Sequence, residues 1–137
     1  MRFLVLIMGI CMAAMASVDD AWSQSCQKNA PGQRLVGNPF QLWFQTDPKK
    51  IRVGEFFKLH VSICSIDGST LPKLLKVNAG MPTHGHGMNY RPTVENLAPG
   101  KFLAKGLMMH MAGKWLLRFE FGQGDKVTHL QTTVTLK

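Results

Sequence analysis

Two short segments of the chain combine histidine with methionine. Residues 79–92 read AGMPTHGHGMNYRP, and residues 106–115 read GLMMHMAGKW. Imidazole nitrogen and thioether sulfur together form a donor set that suits soft metal ions, copper above all. In an oxidising compartment a thioether has the further advantage that it cannot pair into a disulfide. The candidate metal ligands in the two segments are Met81, His84, His86, Met88, Met108, His110 and Met111.

The first segment places two histidines one residue apart. An extended backbone directs the rings of His84 and His86 to one side, and the neighbouring glycines let the chain converge on an ion. The density of Gly and Pro excludes a helix and predicts a loop or a bulged strand end. The structural alternative is a loop whose histidines hydrogen-bond backbone carbonyls and hold its shape.

The second segment offers a sulfur on either face. In an extended chain Met108 and His110 share one face, and Met109 and Met111 share the other. Only one of these pairs can reach the first segment, and we favour Met108 with His110 while leaving Met109 and Met111 open. The alternative is that these methionines fill the core at a strand end, as flexible thioethers often do.

Catalytic chemistry has little support in this sequence. The few acidic residues lie in predicted turns or on outward faces, away from histidine, and no Ser or Cys has a partner base at a suggestive position. The two remaining histidines, His60 and His129, stand alone on outward faces of predicted strands. We therefore expect a protein that is not an enzyme.

The charge balance is basic, with 16 Lys and Arg against 8 Asp and Glu and a formal net charge of +8. The cations are dispersed, without the runs or the aromatic interleaving of a nucleic-acid face. We expect no nucleic-acid partner, and a solvated basic surface that is compatible with peripheral contact with an anionic membrane.

The first sixteen residues, MRFLVLIMGICMAAMA, have the layout of a secretory signal. A single basic residue precedes an apolar run too short for a membrane span, and a small-x-small step ends it. Cleavage after Ala16 is our first choice, and a site between Ala21 and Ser25 is the alternative. The protein is therefore expected in a bacterial periplasm.

Removal of that signal leaves two cysteines, Cys26 and Cys64. In an oxidising compartment two cysteines most often form a disulfide, which here would link the polar leader covalently to the domain. A redox or metal role is the alternative, but no C-x-x-C spacing supports it.

The rest of the chain predicts short strands separated by turns every eight to fifteen residues. The period-2 pattern is clearest in residues 57–63 and 115–121, where every second residue is apolar. About seven such strands with an aromatic core predict an all-β, immunoglobulin-like β-sandwich, with an up-and-down barrel as the alternative. The expected organisation is a signal peptide and leader at residues 1–23, a polar leader at 24–35 and one domain at 36–137.

The two His/Met segments together resemble a family of small exported bacterial domains, the YtkA-like group, and also the periplasmic FixH-like domains. The resemblance lies in a Met-Pro with a His-Gly-Met, a Gly-x-Phe-x-Ala-x-Gly strand, and a His-Met-x-Gly-x-Trp turn, with Ala112 where the pattern usually has proline. The matching positions are Met81, Pro82, His84, His86, Gly87, Met88, Gly100, Phe102, Ala104, Gly106, His110, Met111, Gly113 and Trp115. The resemblance implies an immunoglobulin-like sandwich broadly similar to CopC-type copper proteins, and an association with copper handling or oxidase assembly.

These observations favour a periplasmic copper-binding or copper-delivery protein with a His/Met site for Cu(I) or Cu(II). Its expected partner is a membrane or periplasmic protein that requires copper. The alternative is a non-catalytic periplasmic adapter or assembly domain that docks on a membrane complex without metal.

Overall fold

The computed structural model describes Cys26 and residues 31–137. The signal peptide expected at residues 1–23 lies outside these residues. The described part contains nine strands and no helix. They are β1 (Gln33–Val36), β2 (Phe40–Asp47), β3 (Phe56–Ser65), β4 (Leu74–Met81), β5 (His86–Gly87), β6 (Thr93–Ala98), β7 (Lys101–Met108), β8 (Gly113–Gln123) and β9 (Lys126–Leu136).

The strands form two sheets that pack face to face. One sheet has the order β1-β2-β3-β7-β6, the other has the order β5-β4-β8-β9, and every pairing is antiparallel. The expected all-β sandwich is thus confirmed. The structure has two strands more than the seven or so expected, because β1 and β5 contain only four and two residues. Segments of that length are too short for an alternating pattern to show.

The core consists of the inward-facing residues that the period-2 pattern predicts. Residues 57, 59, 61 and 63 of β3 and residues 115, 117, 119 and 121 of β8 are all buried. Aromatic rings connect the sheets: Phe40 meets Phe121 at 5.7 Å between centroids, and Phe44 meets Phe119 at 5.2 Å. Such pairs add directional contacts to the burial of apolar surface that stabilises the fold.

Cys26 and Cys64 form the expected disulfide, with their Cα atoms 5.4 Å apart. Cys64 is half-buried beside the inward-facing Ile63, so it lies on the outer face of β3 as the alternation predicted. The bond fixes a residue of the leader to the sandwich across 38 positions of sequence.

The connections that carry both His/Met segments lie at one end of the sandwich, here called the loop end. It is formed by residues 48–55 between β2 and β3, residues 82–92 around β5, residues 109–112 between β7 and β8, and Lys137 after β9. The antiparallel registers bring the strand termini that border these connections to the same end. Within the part of the chain that the structure describes, no helix is long and apolar enough to cross a membrane.

Candidate metal centre

The first His/Met segment forms a short hairpin at the end of β4. After Met81 the chain turns through residues 82–85 and returns as β5, which pairs Gly87 with Gly80. The amide of His84 donates to the carbonyl of Met81 at 3.1 Å and closes the turn. Both histidines of the segment are exposed at its tip. The expectation of a loop or strand end is confirmed.

Gly85 is the residue that lets this turn close. Its φ is +64°, in the left-handed region that costs an ordinary residue about 1–2 kcal/mol. The rings of His84 and His86 are not directed to one side by a regular strand. Their positions follow instead from the turn, which stacks the two rings at 21° with centroids 6.3 Å apart.

A β-bulge decides which face of the second segment points outward. In the pairing of β3 with β7, Phe57 faces Leu107 while Leu59 faces Ala104, so β7 has one extra residue between them. Gly106, with φ +78°, lies in this bulge. One extra residue reverses the side of every residue that follows.

The reversal turns Leu107 and Met109 into the core, where both are fully buried. Met108 and His110 consequently lie on the opposite side and remain half-buried. The carbonyl of Met109 accepts a hydrogen bond from the amide of Gly54 at 2.9 Å, which ties the segment to the neighbouring connection. Of the two pairs that the sequence left open, the structure leaves Met108 and His110 available and places Met109 in the core.

His110 joins the two segments. Its ring centroid lies 6.3 Å from that of His86, and the two rings are nearly perpendicular at 80°. On its other side it meets the edge of Trp115 at 5.4 Å. Trp115 is fully buried, and its indole N–H donates to the carbonyl of Met111 at 3.0 Å. The ring against which His110 packs is therefore held in place. The three rings of His84, His86 and His110 therefore form a chain across the two loops.

One nitrogen of His110 is left without a partner. Its Nδ1 atom is buried, and no donor or acceptor among the described residues lies within hydrogen-bonding distance. A buried polar atom in this state typically costs about 1–3 kcal/mol. A bound ion or a ring rotation that brings the nitrogen to a partner would remove this cost.

The ring separations are slightly too wide for one copper ion to bridge neighbouring imidazoles as the side chains stand. A metal about 2 Å from a ring nitrogen lies about 3 Å from the ring centre, so two imidazoles on one ion have centres at most about 6 Å apart. The observed 6.3 Å for each neighbouring pair is just beyond this value. No group of three or more His, Cys, Asp or Glu is drawn together as a metal site within the described residues. Side-chain rotation of the exposed histidines would be required to close around an ion.

The sulfur candidates differ in accessibility. Met111 is 37% exposed, and Met88 and Met108 are half-buried. Met81 is only 1% exposed and belongs to the core cluster. A Cβ added at Gly113 would lie 2.7 Å from the Met81 methyl group, which shows how tightly that side chain is enclosed.

Two aromatic residues beside the centre had no pattern in the sequence that would single them out. Phe56, the first residue of β3, pairs in register with Met108. Its ring meets that of Tyr90 at 5.1 Å, and both rings are exposed. No feature of the sequence predicts that these two rings are in contact.

Compared by sequence, the chain matches no protein-family profile and no curated protein. Its fold is similar to part of a DUF4785 family protein from Legionella pneumophila, with a TM-score of 0.51 and 13% identity. That likeness covers 72% of this chain but only 28% of the other chain, so this chain spans less than a third of that protein's length. It is also similar to a copper-bound variant of FetP from uropathogenic Escherichia coli, with a TM-score of 0.50 and 10% identity, over 77% of this chain and 94% of that one. These likenesses establish the fold alone, and the resemblance to the YtkA-like and FixH-like families stays an interpretation of the motifs.

Proposed function

We propose that this chain is an exported copper-binding protein that holds the ion between its two His/Met segments. The observation that carries the proposal is the chain of rings from His84 through His86 to His110, in which the 6.3 Å contact between His86 and His110 joins the two loops. A loop whose histidines only held its own shape would not need the third ring. The unpartnered Nδ1 of His110 supports the same conclusion.

The donor set selects copper over harder ions. Imidazoles of His84, His86 and His110 would hold the ion, and a thioether from Met88, Met108 or Met111 would complete the shell. Thioether sulfur binds Cu(I) well and hard ions poorly, while imidazole serves both oxidation states of copper. Met81 would contribute packing beneath the site, since it is enclosed in the core. When bound, copper supplies a soft ion whose ligands can be exchanged one at a time.

Export is the second part of the proposal. A disulfide between Cys26 and Cys64 is typical of an oxidising compartment. FetP, a similar fold, is described as copper-bound, and the fold is therefore compatible with copper binding. Together with the signal-like first sixteen residues, the disulfide supports a periplasmic location.

The exposed position of the tip suggests delivery, without catalysis, to a partner that requires copper. His84 and His86 are exposed, so a partner's ligands can reach an ion there before His110 releases it. Weakly bound thioethers would leave first. We propose a membrane or periplasmic copper-requiring protein as the recipient.

The test is a titration with Cu(I) and with Cu(II), competed against a chelator of known affinity. We expect stoichiometric binding, and a loss of at least about tenfold in affinity for His84→Ala and for His110→Ala, corresponding to about 1.4 kcal/mol each. The matched controls are His60→Ala and His129→Ala, which remove histidines elsewhere on the sandwich and should leave the affinity unchanged.

Two results would overturn the proposal. One is binding no tighter than that of a generic pair of exposed histidines. The other is binding that is indifferent to His110, which would mean that the two loops do not share an ion. Either result would favour the alternative of a metal-free adapter, in which substitutions in the first loop change partner binding while copper leaves the melting temperature unchanged.

A further inference from the structure

Cationic residues cluster at the loop end. Counted with the strand residues that border it, this end carries five Lys and Arg against two acids, Asp47 and Glu55. The opposite end, counted in the same way, carries three lysines against two acids. The cations of the loop end are Lys49, Lys50, Arg52, Arg91 and Lys137.

Four of these five cations share one groove. Lys49, Lys50, Arg52 and Lys137 line a groove of about 630 Å³ at the loop end. Arg52 forms an exposed ion pair with Glu55 at 3.6 Å. The other three form no ion pair with any residue that the structure describes, so their charge faces solvent without compensation.

Apolar side chains project from the same connections. Phe56 is 55% exposed and Tyr90 is 49% exposed, and their rings contact each other. Val53 and Met111 are also exposed there. Phe56 and Tyr90 thus form an exposed apolar pair, and Tyr in particular is suited to a boundary between apolar and aqueous surroundings.

We propose that the loop end docks on an anionic phospholipid bilayer. Headgroup phosphates would pair with the clustered cations, and the Phe56–Tyr90 pair would enter the interfacial layer, as in other proteins that lie on membranes. An acidic protein surface would match the charge as well, and it is the alternative that the experiment below distinguishes. The inference does not depend on copper binding, and it would hold the candidate metal centre beside the membrane.

The experiment measures co-sedimentation of the full protein, freed of metal with a chelator, with lipid vesicles. Vesicles of phosphatidylcholine are compared with vesicles in which roughly a quarter of the lipid is phosphatidylglycerol. We expect binding only to the anionic vesicles, with loss at high salt because exposed charges are screened. The triple variant Lys49→Gln, Lys50→Gln, Arg52→Gln should weaken the partition by about a hundredfold, since each cation contributes about fivefold.

A matched triple variant removes the same charge from the opposite end: Lys73→Gln, Lys101→Gln, Lys126→Gln. It should reduce the partition far less. In the reverse direction, Glu55→Gln removes an acid from the loop end and should strengthen binding a few-fold.

A fluorescent substitution reports which part of the protein meets the bilayer. The emission of Phe56→Trp should shift to the blue on anionic vesicles, while that of Leu97→Trp, an exposed site at the opposite end, should not. Equal losses from both triple variants would overturn the proposal by showing non-specific attraction. Absence of binding to either vesicle would also overturn it, and would leave an acidic protein surface as the alternative occupant.

Discussion

Asp67 illustrates how single side chains hold the end of the sandwich opposite the candidate metal centre. Its carboxylate accepts hydrogen bonds from the hydroxyl of Ser69 at 2.6 Å, the amide of Ser69 at 2.9 Å and the hydroxyl of Ser65 at 2.9 Å. The hydrogen bonds from Ser69, followed by that from Ser65, lower the pKa of Asp67 because they favour the charged carboxylate. Hydrogen bonds of this kind are typical of turns that must be fixed without help from the core.

The lowered pKa of Asp67 predicts a pH dependence with a definite sign. A depressed folded-state pKa stabilises the protein above the unfolded pKa, and this contribution is lost as the pH falls through the folded-state value. We expect Ser69→Ala to raise the pKa of Asp67 toward its ordinary value and to make unfolding less sensitive to acid. An NMR titration of the carboxylate checks the first effect, and urea unfolding at several pH values checks the second.

The control for this prediction is Ser62→Ala, which removes a hydroxyl on the same strand as Ser65 without touching Asp67. It should leave the titration of Asp67 where it is. An unchanged pKa in Ser69→Ala would show that the backbone amide and Ser65 suffice to hold the carboxylate.

At the scale of elements, the bulge in β7 is the feature on which the candidate metal centre depends. It places Met109 in the core and leaves Met108 and His110 half-buried on the opposite face, where the ring of His110 lies 6.3 Å from that of His86. Gly106 permits the bulge with a φ of +78°, and a Cβ there would meet no atom within 4 Å. A side chain at this position would therefore be strained by the backbone alone, without a clash.

We predict that Gly106→Ala lowers the free energy of unfolding by about 1–2 kcal/mol. Because the strain is relieved by moving the bulge, copper affinity should also fall. Each 1 kcal/mol lost from the free energy of copper binding lowers the affinity about fivefold. Gly124→Ala is a matched control: its φ is +56°, a Cβ there is equally unobstructed, and it lies in the turn between β8 and β9. It should lose similar stability and no affinity, and equal losses of affinity in both variants would contradict the role given to the bulge.

The bulge also explains why the elements were predictable and the site was less so. Strands β3 and β8 follow from strict alternation, since each buries every second residue against the other sheet. The side of Met108 and Met109 depends on a single extra residue in β7, and one glycine in a strand does not reveal whether the register shifts there. The residue types of the candidate site stay a prediction, and the burial of Met81 depends on packing that alternation does not describe.

Contacts between loops were the other part that the sequence did not determine. That the ring of His110 meets those of His86 and Trp115 follows from the order of strands in two sheets and from their registers. The motifs suggested that both segments serve one centre. Local patterns contain no information about which strand termini become neighbours, so the Phe56–Tyr90 contact was missed.

At the scale of the whole molecule, the disulfide stabilises the sandwich from a position far from the candidate metal centre. Cys64 lies near the last residue of β3, at the opposite end of that strand from the loop end. The bond closes 38 positions of sequence, and the chain entropy it removes from the unfolded state corresponds to about 4 kcal/mol. A sandwich of this size has only modest stability, so this contribution is a large share of the total.

We predict that the double variant Cys26→Ser, Cys64→Ser unfolds at a much lower urea concentration, with a loss of about 3–4 kcal/mol. Copper affinity measured while the variant is still folded should be unchanged, because neither loop of the centre contacts the bond. The control is reductant, which should destabilise the native protein to the same extent and leave the double variant unaffected. A loss of affinity in the folded variant would show that the leader influences the loop end.

The edge contact between His110 and Trp115 has a consequence for light emission. The indole ring is fully buried and held by its hydrogen bond to Met111, so its surroundings vary with little except the imidazole 5.4 Å away. Trp43, the other tryptophan that the structure describes, lies on β2 in the other sheet, beneath the guanidinium of Arg34 at 5.9 Å. An ion with unpaired electrons, such as Cu(II), bound beside His110 would quench the fluorescence of Trp115 more strongly than that of Trp43. Tryptophan emission would therefore report whether the proposed site holds Cu(II), without an added dye.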